Sequence, residues 1–107
     1  MAVRRDTIDV YKSGPITVIG FGERSALDLN VGTCQNEISQ VLRESNCHTL
    51  AIDMTGVRLV ASGMLGVFAS IQRRGTRVLL FNPSPDLLEV LEITKLDRLL
   101  PVHRVEV

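Results

Sequence analysis

Ser62 is the residue whose type and position best suit it to carry chemistry in this sequence. It lies directly before the helical pattern of Leu65, Phe68 and Ala69, so we predict that it is a helix N-cap whose hydroxyl accepts hydrogen bonds from backbone N–H groups one turn in. The same position suits a phosphate, because free N–H groups and the helix dipole favour an anion there. Phosphorylation would add about −1.5 to −2 charges beside Met64 and would disrupt an apolar contact with a partner. Two interpretations of Ser62 therefore remain: an ordinary N-cap, and a site that is switched by phosphorylation.

The other reactive groups form no catalytic or metal-binding pattern in the sequence. His48 and His103 have no motif that links them to Ser62 or to a cysteine. Cys47 and His48 are adjacent, but no second pair of ligands accompanies them, as a zinc site would need. We expect both cysteines to be free, with Cys34 buried in a helix face. The sequence therefore predicts no catalytic residue, no metal and no cofactor.

A glycine-rich stretch supports one enzyme-like alternative, a dinucleotide-binding unit. Gly20-Phe-Gly22-Glu-Arg-Ser25 follows a strand-like run, and Asp53 ends the next such run, as in a relaxed dinucleotide-binding fingerprint. A helix should begin at the glycines, yet Asp28, Asn30 and Gly32 are poor helix formers. The 107 residues also leave no room for a substrate domain. Both features argue against this alternative.

Length and net charge limit the classes of function that remain. The chain has 107 residues, which suit one domain over residues 1–107. Lys plus Arg and Asp plus Glu number 12 each, so the chain has no overall basic field to hold nucleic acid. A local basic cluster at Arg73, Arg74 and Arg77 is accompanied by one tyrosine and no tryptophan, so stacking platforms for bases are scarce. Nucleic acid is therefore not an expected partner.

Hydropathy argues against a membrane protein. The longest apolar stretches are strand-sized, far short of the ~20 residues that a membrane-spanning helix needs. The N-terminal segment 1–6 has basic residues but no apolar run after them, so it does not resemble a secretory signal. We expect no membrane partner and a cytoplasmic location.

The first half of the chain alternates strand and helix signals. Two β-branched runs, 8–11 and 16–20, are separated by a Gly-Pro turn and predict a hairpin. After a polar stretch from Glu23 to Asn30, apolar residues from Cys34 to Leu42 recur at helical spacing, which predicts an amphipathic helix ending near 45–46. The apolar run 49–53 predicts a buried central strand.

The second half repeats the alternation. We predict a helix from Ser62 to Gly75, a strand over 78–81, and a helix with Ser84 as N-cap and Pro85 at its first position. Residues 95–100 add a further turn, and 102–107 alternates like an edge strand. The pattern predicts an α/β domain in which a mixed sheet of about five strands packs against about four helical segments.

From Leu50 onward the sequence resembles the STAS family, which includes bacterial anti-sigma factor antagonists. The matching pieces are Leu50-Ala-Ile-Asp53-Met-Thr-Gly-Val57, Arg58-Leu-Val-Ala-Ser62-Gly-Met-Leu-Gly66-Val67, Arg73-Arg-Gly-Thr-Arg-Val-Leu-Leu-Phe-Asn-Pro-Ser-Pro85 and Leu87-Leu-Glu-Val-Leu-Glu-Ile-Thr-Lys-Leu-Asp-Arg-Leu-Leu100. The resemblance implies a single STAS-type domain that binds proteins and is not an enzyme. Its expected partners are an anti-sigma factor or serine kinase, and also other STAS proteins or a second copy of itself.

The resemblance also implies a phosphoacceptor. The family signature Asp-Ser-Ser/Thr-Gly-Leu-Gly places its first serine on Ser62, while Ala61, Gly63 and Met64 depart from the Asp, Ser/Thr and Gly of that signature. Asp28 falls in the loop that lies beside the phosphoacceptor in the family. The candidate partner-binding residues are therefore Asp28, Ala61, Ser62, Gly63, Met64 and Leu65. These departures keep open a STAS scaffold or small-ligand sensor that is never phosphorylated.

Overall fold

Six strands form one mixed sheet in the order in which they occur along the chain. The structure, a computed structural model, describes residues 3–103. The strands are β1 (Val3–Arg4), β2 (Asp9–Lys12), β3 (Ile16–Gly20), β4 (Thr49–Asp53), β5 (Arg77–Phe81) and β6 (Val102–His103). The first three are antiparallel neighbours, and β3 to β6 run parallel to one another. The predicted hairpin and the central strands at 49–53 and 78–81 are confirmed.

Three α-helices and two short 3-10 helices connect the parallel strands. The α-helices are α1 (Val31–Ser45), α2 (Ser62–Arg73) and α3 (Pro85–Ile93), and the 3-10 helices are Ala26–Asp28 and Leu96–Arg98. The predicted α/β class is confirmed, while the counts within residues 3–103 differ slightly: six strands in place of about five, and three α-helices with two 3-10 helices in place of about four helical segments. The extra strand β1 has only two residues, too few for an alternating pattern to be visible in the sequence. Of the predicted edge strand 102–107, residues 104–107 lie outside the described residues.

The three α-helices lie on one face of the sheet. Each helix links two neighbouring parallel strands, and each successive strand is added on the same side of the previous one. Right-handed crossovers that advance across the sheet in one direction place every helix on the same face. The inward sheet residues form one buried cluster with the helices, and they include Ile19, Leu50, Ile52, Val78 and Leu80. Residues of the opposite face of these strands are not members of that cluster.

The ends of α1 and α3 are set by local hydrogen bonds. The Asn30 side chain accepts from Thr33 N–H at 2.9 Å, and Asn46 ends α1 in the left-handed conformation. In α3 the Ser84 hydroxyl accepts from Leu87 N–H at 3.0 Å, with Pro85 at the first helical position, as the sequence predicts. These caps determine where the loops that precede both helices end.

Glu37 of α1 anchors the segment before β2. Its carboxylate accepts from the backbone N–H groups of Thr7 at 2.8 Å and Asp6 at 3.0 Å, and from the Thr7 hydroxyl. Burial alone would raise the pKa of Glu37, but these hydrogen bonds and the charge of Arg5 outweigh it and hold the pKa below its ordinary value. The ionised carboxylate therefore joins α1 to the N-terminal edge of the sheet.

Candidate functional site

The candidate site lies at the end of the sheet where the parallel strands β3 and β4 finish. The loop from β3 to α1 carries Asp28, and the loop from β4 to α2 leads into Ser62. A Cβ atom added at Gly63 would lie 3.4 Å from Cγ1 of Val31, so the starts of α1 and α2 are in contact. The fold therefore brings together the two segments that the sequence singles out.

Ser62 is the first residue of α2 and not its N-cap, so the sequence prediction of an N-cap is wrong. Ala61 occupies the cap position with φ −61° and ψ 146°, and no side chain caps the helix. Ser62 is exposed, and its hydroxyl takes part in none of the hydrogen bonds found among residues 3–103. The helix begins at Ser62, the predicted start, but with Ala61 at the cap position, so the Ser62 hydroxyl is available.

An aspartate in place of Ala61 is expected to stabilise α2. Ala61 already has the extended dihedrals of an N-cap and is only half-buried, so a carboxylate there can accept from the first-turn N–H groups. We expect Ala61→Asp to raise the free energy of unfolding by about 1 kcal/mol in urea denaturation. For comparison, Ser84→Ala removes the existing cap of α3 together with the hydrogen bond that the Ser84 hydroxyl donates to the Arg58 carbonyl, and it should lower the free energy of unfolding by about 1–2 kcal/mol. Unchanged stability of Ala61→Asp would show that the first turn of α2 cannot use a cap.

The candidate partner-binding residues divide by exposure. Asp28, Ser62 and Gly63 are exposed, and Ala61 is half-buried. Met64 and Leu65 are 0% and 3% exposed and belong to the core cluster, so their side chains point away from solvent. In the structure as it stands, those two residues support the helix and offer no contact to a partner.

Leu27 is a surface residue that the sequence analysis missed. It lies in the 3-10 helix Ala26–Asp28 and is 54% exposed. It lines a cleft of about 260 Å³ between the two loops, formed by residues 24–27 on one side and 56–59 on the other. Its neighbours Ala26 and Leu29 are also apolar but are buried or partly buried, so the sequence held no signal that Leu27 would be the exposed one.

Arg24 holds the loop between β3 and α1 in place. Its Nη1 donates to Asp9 Oδ1 at 2.9 Å and to the Phe21 carbonyl at 3.0 Å, and its Nε donates to the Asp6 carbonyl at 3.0 Å. A further hydrogen bond reaches the Arg5 carbonyl. The guanidinium therefore connects the loop to the N-terminal segment from several directions.

The loop before α2 is joined to the segment before α3, because the Ser84 hydroxyl donates to the Arg58 carbonyl at 2.5 Å. Asp53 accepts from Thr55 N–H at 3.0 Å, which makes it the turn residue expected from its place at a strand end. Arg58 Nε contacts Asp86 Oδ2 at 2.7 Å, but the two side chains are 81% and 48% exposed. An ion pair so exposed adds little stability.

The glycine-rich stretch does not have the geometry of a dinucleotide site. After Gly20 and Gly22 the chain continues through a turn and a 3-10 helix, and α1 begins only at Val31. No α-helix therefore begins directly at the glycines, as the dinucleotide-binding fingerprint would require. A Cβ at Gly20 would instead meet the Tyr11 ring at 2.7 Å, so this glycine makes room for an aromatic side chain.

The cysteines are both free, as predicted, and Cys34 is fully buried in α1. Burial raises the pKa of the Cys34 thiol, which keeps it protonated. Within residues 3–103, no cluster of three or more His, Cys, Asp or Glu side chains could hold a metal ion. None of the helices in the same range is long and apolar enough to cross a membrane.

The fold and the paired loops define a class: a small α/β domain whose parallel strands follow one another in sequence and whose helices cover one face. The STAS domain profile matches residues 8–106, and the chain belongs to the STAS domain family. The sequence matches none of the curated proteins with which it was compared. Because this match covers most of the chain, the predicted family is confirmed.

Two solved structures share this fold. The solution NMR structure of the protein TM1081 is 14% identical with a TM-score of 0.76, and the alignment covers 96% of this chain and 85% of that one. An anti-sigma factor antagonist from Mycobacterium paratuberculosis is 19% identical with a TM-score of 0.67, and the alignment covers 91% of this chain and 84% of that one. At these identities the likeness establishes the fold and leaves the function to be argued from the site.

Proposed function

We propose that this chain is a non-enzymatic regulatory module that binds an anti-sigma factor or a serine kinase, in the manner of an anti-sigma factor antagonist. Membership of the STAS family and the shared fold of a solved antagonist support this role. The role would place the chain in the cytoplasm, where sigma factors act. The observation that carries the proposal is an exposed serine with a free hydroxyl at the start of α2.

The partner would bind the surface formed by Leu27, Asp28, Ser62, Gly63 and Gly66, here called the α1–α2 surface. Leu27 supplies exposed apolar area, and Asp28 supplies a charge beside it. Gly66 has nothing within 4 Å of the position of a Cβ, so the backbone of α2 is open to close approach there. An exposed apolar side chain next to bare helix backbone is a suitable contact for a partner helix or loop.

Phosphorylation of Ser62 would disrupt this contact without unfolding the domain. The uncapped N–H groups of the first turn and the helix dipole favour a phosphate by up to ~1 kcal/mol at an exposed site. The added charge of about −1.5 to −2 would have to be desolvated when a partner covers the surface, which opposes binding. Ala61 brings no carboxylate to repel the phosphate.

Charge at Ser62 is expected to weaken partner binding selectively. With a purified anti-sigma factor, we expect Ser62→Glu to lower the affinity at least tenfold, about 1.4 kcal/mol, in isothermal titration calorimetry. Ser62→Ala should bind like the unmodified chain. Ser13→Glu is the matched control, because Ser13 is also exposed but lies in the β2–β3 turn at the opposite end of the sheet.

Phosphate transfer is tested on the same proteins. A serine kinase of the anti-sigma type should add one phosphate to the unmodified chain and none to Ser62→Ala, as measured by intact-protein mass. Equal affinity of Ser62→Glu and the unmodified chain would leave a binding module without a switch, which is the scaffold alternative. Loss of binding in Ser13→Glu alone would place the partner surface elsewhere.

A further inference from the structure

One face of the sheet is bare among the described residues. The three α-helices lie on the other side, and the uncovered face carries Ile16, Val18, Thr49, Ala51, Leu79 and Phe81. These side chains line a shallow concavity of about 590 Å³, here called the open sheet face. It is separate from the α1–α2 surface, so the inference drawn from it does not depend on the proposed function.

The composition of this face is unusual for a surface exposed to water. Parallel strands normally have both faces covered, whereas antiparallel sheets tolerate one solvated face. Here Ile16 is 53% exposed, while Val18, Leu79 and Phe81 are partly exposed on neighbouring strands. These apolar side chains lie next to one another on three neighbouring strands, so one partner surface can cover them together.

Charge is distributed unevenly along the strands of the open sheet face. Arg77 stands at the start of β5, in register with Thr49, and Asp53 stands at the end of β4, in register with Phe81. Asp9 lies at the same end as Asp53, but its carboxylate is already paired with Arg24 at 2.9 Å. The charge difference along the face therefore rests on Arg77 at one end and Asp53 at the other.

We infer that a second copy of this chain covers the open sheet face, related to the first by a two-fold axis that crosses the strands within the interface. Such an axis reverses the strand direction between the copies and places the basic end of each face over the acidic end of the other. Arg77 of one copy then approaches Asp53 of its mate, and the same contact occurs twice. The apolar centre around Ala51 and Leu79 packs against itself.

The area of the face sets the strength of this dimer. Strands β2 to β6 contribute 4, 5, 5, 5 and 2 residues. At about 3.3 Å per residue along a strand and about 4.8 Å between strands, they give a footprint of about 330 Å² per copy. This area, enlarged by the side chains at the rim, belongs to the class of weak and reversible interfaces. The dimer therefore forms as the protein concentration rises and coexists with the monomer.

Sedimentation velocity over about a hundredfold range of concentration tests the inference, because mass action makes a reversible dimer concentration-dependent. The unmodified chain should shift from monomer towards dimer, and Leu79→Glu should weaken association at least tenfold. Ile16→Glu gives the same test on a more exposed side chain, should Leu79→Glu fail to fold. Ile93→Glu is the matched control, since Ile93 is 73% exposed on α3, among the helices of the other face.

Charge exchange tests the two-fold arrangement. Arg77→Glu and Asp53→Lys should each weaken the dimer, because like charges would then face each other, and the double variant should restore it. Circular dichroism establishes that each variant is folded. A chain that stays monomeric throughout, a control as damaging as Leu79→Glu, or a double variant no better than the single ones would overturn the inference.

Discussion

Replacement of Arg24 by methionine is expected to lower the free energy of unfolding by about 3 kcal/mol. The Arg24 and Asp9 side chains are only 11% and 16% exposed, and they form an ion pair at 2.9 Å. Loss of the guanidinium would leave the Asp9 carboxylate nearly buried without its cation, and the carbonyls of Phe21 and Asp6 would lose a donor. A charge left unpaired away from water costs more than the intact pair contributes.

The Arg24 effect is measured by urea denaturation, with Arg58→Met as the control. Arg58 also contacts an acid, at 2.7 Å, but its side chain is 81% exposed, so its loss should cost less than about 1 kcal/mol. Asp9→Asn combined with Arg24→Met should cost less than the sum of the two single changes, because the unpaired charge is then removed. Equal losses for Arg24→Met and Arg58→Met would contradict the structural role of Arg24.

The same variant bears on the α1–α2 surface. Arg24 ties the β3–α1 loop, which carries Leu27 and Asp28, to the N-terminal segment. A chain that is still folded but lacks this tie should bind its partner more weakly, because the loop must be ordered again on binding. Arg58→Met should leave that affinity unchanged.

Replacement of Met64 by alanine is expected to cost about 2–5 kcal/mol of the free energy of unfolding. Met64 is 0% exposed and belongs to the core cluster beneath the start of α2, so the change removes buried methylene and sulfur contacts and leaves a cavity. Ser62→Ala, two residues away on the same turn, removes an exposed hydroxyl with no hydrogen bond and should stay within about 0.5 kcal/mol. Thermal and urea unfolding of the two variants measure the contrast.

Met64→Leu distinguishes a role of this side chain in core packing from a direct contact with the partner. It conserves side-chain volume, so we expect a loss of less than about 1.5 kcal/mol. Its affinity for the proposed anti-sigma factor partner should equal that of the unmodified chain, because the side chain does not reach the surface. A folded Met64→Leu variant with a large loss of affinity would show that α2 rearranges to present this residue to the partner.

The difference between Ser62 and Ser84 shows how far local sequence signals reach. Ser84 is followed by Pro85, whose ring restricts the backbone to helical φ, so the cap position could be read from two adjacent residues. Ser62 has no such neighbour. The start of α2 depends instead on the path of the preceding segment, where Val57 and Val60 are 7% and 8% exposed and are anchored in the core. That anchoring places Ala61 at the cap, a consequence of packing that no local signal contains.

The sequence by itself determined the fold class, the family, the hairpin, the central strands, the end of α1 and the start of α3. These features depend on periodicity and on hydrogen bonds between residues a few positions apart, which are present in the order of the residues. The tertiary structure alone decided that Gly63 meets Val31, that Leu27 is exposed, and that one face of the mixed sheet is bare within residues 3–103. Exposure and long-range contact depend on how the elements pack together. The same residue pattern near the start of a helix is compatible with different residues facing solvent, so the pattern does not determine which of them are exposed.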